Sequence, residues 1–107
     1  MQLVRNAAQA AANEDGLLFF PQECETIAVN RVEIASREHT QMAIHDDEEE
    51  IYIITQGTGN VFLNDVRYPV QTGDVVYVPR NTTHWVENVG SIALIYLCVA
   101  NWPDKNK

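Results

Sequence analysis

The chain has 107 residues, a formal net charge of −8 from 15 acids against seven Lys and Arg, and 46% hydrophobic residues. That length fits one domain with a single core and is too short for two. The acid excess argues against nucleic acid and anionic membrane surfaces, and leaves a small molecule or a cation as the compatible partner class.

Residues 3–13 are rich in Ala, with Gly16 as a stop signal, and predict a short N-terminal helix or arm over 1–16. The segment lacks the continuous apolar core of a secretory leader. No apolar run reaches membrane-spanning length, so a cytoplasmic protein is expected.

From Leu17 the pattern changes to short β-type segments divided by turn residues, which defines a domain over 17–102. Residues 17–20 end at Pro21, residues 26–34 alternate, and residues 41–45 form a further extended piece. Residues 51–55 follow a run of acids. Residues 60–63 meet Asn64-Asp65, a two-residue hairpin signal, and 66–70 return from it. Residues 75–78 run into Pro79, and 84–88 and 92–100 complete the series. The tail over 103–107 is polar and expected to be loose. Strands at this spacing without a helical period predict an all-β sandwich or barrel.

The chemistry concentrates in two stretches. His45 precedes five consecutive acids, 46–50, and then a strand-like run. Strands rarely begin with like charges, because the carboxylates repel one another. Taken alone the run reads as a solvated loop, or as a set of carboxylates offset by a metal ion on His45 and one glutamate. The second stretch runs from Gly73 to Asn88; His84 starts a strand within it and shares a face with Val86 and Asn88. Two imidazoles and a carboxylate suit a divalent transition metal, Fe, Mn, Ni, Zn or Cu, and leave coordination positions open. His39 lies in a polar loop and is expected to be solvent-exposed, and Gln41 is a remote substitute ligand. Cys24 and Cys98 follow no metal-binding or redox spacing and are expected as buried thiols.

The spacing His45, four residues, Glu50, six residues, Gly57 resembles the second half of the first motif of the cupin family. Gly73, Pro79, His84 and Asn88 match its second motif, with Asn81 where Gly is usual. Asn tolerates a positive φ better than most residues, so that exchange is mild. The resemblance runs from about Ala28 to Val99. It implies a double-stranded β-helix barrel and a metal held by His45, Glu50 and His84. It also implies a small polar metabolite as substrate, in isomerase, dioxygenase, lyase or cyclase chemistry, and a homodimer. Tyr52 or the spare carboxylate Glu48 would then move a proton.

One position departs from the motif: its first His falls at Ala43. The departure leaves either a three-ligand site or a metal-free binding or accessory protein. By parity Tyr52, Ile54, Val86 and Asn88 point inward, while Tyr77, Trp85 and Phe62 are candidates to line or flank the mouth.

Overall fold

The computed structural model describes residues 3–14 and 16–102. The tail expected to be loose, 103–107, therefore lies outside the described residues. Period-two alternation produces β1 (Ala11–Asn13), β2 (Gly16–Phe19), β3 (Ile27–Ile34), β4 (Glu49–Gln56) and β5 (Thr58–Leu63). It continues with β6 (Val66–Gln71), β7 (Val75–Val78), β8 (His84–Glu87) and β9 (Leu94–Asn101). One sheet has six strands in the order β1-β2-β3-β9-β4-β7, and a smaller sheet has three, β6-β5-β8. Every pairing in these sheets is antiparallel.

The last strand closes the larger sheet. β9 inserts between β3 and β4, pairing Ile34 with Leu94 at one end and Ile27 with Asn101 at the other. The inward residues of the two sheets form one core of Ile34, Tyr52, Ile54, Val61, Val70, Val78, Val86, Leu94 and Tyr96. The Asn64-Asp65 turn has positive φ at both residues, 49° and 68°, the geometry that a two-residue hairpin with the right-handed strand twist requires. Gly59 marks a close approach between β5 and β8: a Cβ there would run into the Glu87 carbonyl oxygen. Among the described residues no helix is long and apolar enough to cross a membrane.

The Ala-rich start departs from the helical expectation. It forms one 3-10 turn, Ala7–Gln9, capped reciprocally by Asn6 and Gln9, and then enters β1 on the edge of the large sheet. Some ten residues are too few for a stable helix without an apolar face to bury, whereas β1 gains a backbone ladder on β2. Arg5 ties the arm down, pairing with Glu23 at 2.8 Å and lying 4.6 Å over the Phe20 ring.

The extended piece over 41–45 proves to be a strap more than a strand. Residues 37–43 run along β8 through Arg37 N–H to Asn88 O (3.1 Å), Thr40 N–H to Val86 O (2.8 Å) and a reciprocal Ala43–His84 pair (3.0 and 2.9 Å). Removal of a large core side chain tests this architecture. Leu94 is fully buried between the sheets, so Leu94→Ala is expected to lower stability by about 2–5 kcal/mol in urea unfolding. Val66→Ala, on the exposed hairpin of the smaller sheet, should change it by less than about 0.5 kcal/mol.

Candidate metal centre

Three separate segments bring the expected ligands together. Glu50 is the second residue of β4, and alternation puts it on the inward face with Tyr52 and Ile54, which are 4% and 1% exposed. His84 opens β8 in the opposite sheet and is buried. His45 sits in the loop before β4, where Asn81 N–H donates to its carbonyl at 2.7 Å. Asn81 has φ 61°, so the residue at the motif's usual glycine adopts the left-handed conformation that aims its N–H at that loop. One ligand atom from each of His45, Glu50 and His84 lies within 4.8 Å of the others.

The hydrogen bonds around the trio fix each side chain. His84 Nε2 lies 3.1 Å from Glu50 Oε1 and Nδ1 lies 2.9 Å from the Thr82 carbonyl, so the imidazolium donates to both. Burial works against that charge, but the contacts with Glu50 and the Thr82 carbonyl outweigh it and hold the His84 pKa above its ordinary value. Burial likewise works to raise the Glu50 carboxyl, and the hydrogen bonds from His84 and Cys98 leave it below its ordinary value. Tyr52 donates its hydroxyl to Glu50 Oε1 at 3.3 Å, and the Cys98 thiol donates to Oε2 at 3.1 Å. Burial, with the Glu50 charge beside it, holds the Tyr52 phenol well above its ordinary range. Tyr52 thus stays a neutral phenol that donates a hydrogen bond to Glu50.

Glu48 corrects the reading of 46–49 as a solvated loop. It is buried, with Oε1 3.2 Å from His45 Nδ1. Burial, followed by the charges of Glu50 and Asp47, pushes its pKa up to about 7, against a hydrogen bond from Trp102. Glu49 belongs to β4 and accepts the Tyr77 hydroxyl at 2.7 Å. Only Asp46 and Asp47 are exposed and outside a strand.

None of the aromatics proposed to line or flank the mouth is among the residues that line the cavity. Tyr77 is exposed on the outer face beside Ile51, and Phe62 stacks at 4.1 Å on Trp85, which flanks the cavity through His39. His39 is exposed as expected and contacts the edge of Trp85 at the rim. Ala43 lines the cavity, and its reciprocal backbone pair with His84 puts the two side chains on one face.

These residues fit a metal. His84 Nδ1 is held by a backbone carbonyl and His45 Nδ1 by a carboxylate, the outer contacts that orient metal-binding imidazoles and leave Nε2 for the ion. Sequence reasoning missed three contributors: the Thr82 carbonyl, Trp102 and Cys98. Cys98 could be read only through its pairing with Tyr52, which puts it on the inward face of β9. It is half-buried beside a carboxylate, where an apolar setting was expected.

The sequence profile of the Cupin domain matches residues 30–100. A functionally uncharacterised protein of Methanocaldococcus jannaschii is 39% identical over 59 residues, covering 55% of this chain and 47% of that protein. An oxalate-binding protein of Thermotoga maritima is 36% identical over 55 residues, covering 51% and 46% respectively. Those matches span just under half of either relative. In fold, the plu4264 protein of Photorhabdus luminescens superposes with a TM-score of 0.79 at 21% identity, covering 98% of this chain and 90% of that one.

The raised pKa values of His84 and Glu48 give the metal-free protein a definite pH dependence. A group with a raised folded pKa stabilises below its ordinary pKa, and that contribution is lost as pH rises through the folded value. Both groups therefore lose stability on going from about pH 5 to pH 8. Glu50, with a lowered pKa, acts in the opposite sense and only below its ordinary value. The groups facing Glu48 are His45, Asp47, Glu50, His84 and Trp102. The urea midpoint of chelator-treated protein should thus fall from pH 5 to pH 8, and Glu48→Gln should flatten the fall. A midpoint that rises over that interval contradicts these assignments.

Proposed function

This chain belongs to the cupin family, and on that premise we propose that it binds a divalent transition metal through His45, Glu50 and His84 and acts on a small polar metabolite there. The observation that carries the reading is the convergence of three ligand atoms within 4.8 Å from three different segments, with each imidazole already oriented through its other nitrogen. A bound metal supplies a Lewis acid that polarises a substrate oxygen. The chain supplies the rest. Glu48, with a pKa of about 7, is matched to carry a proton near neutral pH. Tyr52 and Cys98 hold the Glu50 carboxylate in place. The name of the Thermotoga relative supports a small, polar, oxygen-bearing ligand.

A second reading is favoured by Ala43, which supplies no ligand where the family motif has one: a non-catalytic small-molecule-binding or accessory cupin with a weakened or absent metal site. Metal content of protein purified without an affinity tag separates the two. The metalloprotein reading expects near-stoichiometric metal that His84→Ala removes, and sub-stoichiometric metal unaffected by that change refutes it. Because Ala43 shares a face with His84, Ala43→His should tighten metal binding by about tenfold or more.

We also propose a homodimer, formed through the outer face of the large sheet. Cross-strand register aligns Phe19, Val29, Val99, Ile51 and Tyr77 in one row, and Leu17, Arg31, Leu97, Ile53 and Val75 in the next. Ile51, Ile53, Val75 and Tyr77 are 39%, 36%, 64% and 53% exposed. An apolar face of this kind is what sheet-on-sheet association covers. Light scattering at micromolar concentration should give twice the chain mass, and Ile53→Glu should halve it. A monomer mass for the unsubstituted protein refutes the dimer.

A further inference from the structure

The cavity that holds the His–Glu–His group has a volume of about 910 Å³ and an unbalanced charge. Among the described residues that line it there is no Lys or Arg. The described cations are placed elsewhere. Arg5 pairs with Glu23, and Arg31 pairs with Glu33 on the outer face of β3. Arg37, Arg67 and Arg80 lie outside the lining. Glu33 borders the cavity, but its carboxylate is turned out to Arg31.

Four other carboxylates remain. Glu48 and Glu50 stand at the inner end, and Glu14 and Glu38, both exposed, stand at the mouth. A divalent ion at the inner end neutralises two charges and still leaves the lining net negative. His45 and His84 also line the cavity but serve as neutral ligands once a metal is bound. An anionic ligand would therefore meet the metal at the inner end and the Glu14 and Glu38 carboxylates at the mouth, with no guanidinium or ammonium among the described lining residues.

We propose that the ligand of this cavity is cationic: a small polar molecule with an oxygen directed to the inner group and a protonated amine directed to Glu14 and Glu38. The proposal rests on the metal reading for the inner end only, because the rim carboxylates belong to the apoprotein too. It sets this chain apart from its oxalate-binding relative in the charge class it takes, while keeping a small oxygen-bearing molecule.

Three probes of one length test it by titration calorimetry on Mn²⁺-loaded protein: 4-aminobutanol, 1,4-butanediol and 4-hydroxybutanoate, with oxalate alongside. The amino alcohol is expected to bind about tenfold or more tighter than the hydroxy acid and than oxalate, with an affinity that falls as salt is added. In the Glu14→Gln/Glu38→Gln double variant that preference should shrink to about threefold or less. Asp65→Asn, in the distant hairpin turn, should leave it unchanged. Oxalate or the hydroxy acid binding as tightly as the amino alcohol overturns the proposal. So does absence of binding by all of the probes, or an equal loss of preference in Asp65→Asn. The same series on His84→Ala protein separates this proposal from the metal reading. Weaker binding of every probe with the amine preference intact supports both, whereas unchanged affinities with the preference intact refute the metal reading alone.

Discussion

A carboxylate on the inward face of β4 is tolerable only because a partner from the opposite sheet receives it. Alternation makes Glu50 share its face with Tyr52 and Ile54, so one end of the barrel interior is polar and the rest apolar. Burial works to raise the Glu50 pKa. Hydrogen bonds from His84 and Cys98 outweigh it and leave the carboxyl below its ordinary value. Breaking such a buried contact by removing one partner is far more damaging than never having built it. The remainder of the site is arranged around this pair.

The supporting contacts are partly local and partly from segments distant in sequence. Thr82 orients His84 from the turn just before β8, Glu48 orients His45 across the entry to β4, and Asn81 pins the loop that carries His45. β9 contributes Cys98 only because it lies between β3 and β4. The closing strand therefore completes the sheet and adds one hydrogen bond to the Glu50 carboxylate.

Much of this was legible in the sequence. The strands β2 to β9 follow from alternation and turn residues, and the inward parity of Tyr52, Ile54, Val86 and Asn88 agrees with their burial. The trio His45, Glu50 and His84, which the resemblance to the cupin motifs implied, is brought together in the structure. The N-terminal segment was misread because Ala content reports intrinsic helix preference, while the available ladder on β2 decides the outcome. Glu48 was misread because it lies outside the strand period. The local pattern of five acids gives no sign that one of them turns inward to an imidazole. The outer aromatics Tyr77, Phe62 and Trp85 were offered for the mouth on residue type, although the parity of Tyr77 against Tyr52 already sends it outside.

The strap alongside β8 is held by backbone groups, from Arg37–Asn88 to the paired Ala43 and His84. Those bonds are indifferent to which side chain stands at position 43. The fold therefore keeps one slot facing the centre whose occupant can be exchanged without cost to the scaffold, so that the number of protein donors is a variable separate from the architecture. In a lineage built on such a strap, coordination can be gained or relinquished by single substitutions while the barrel stays the same.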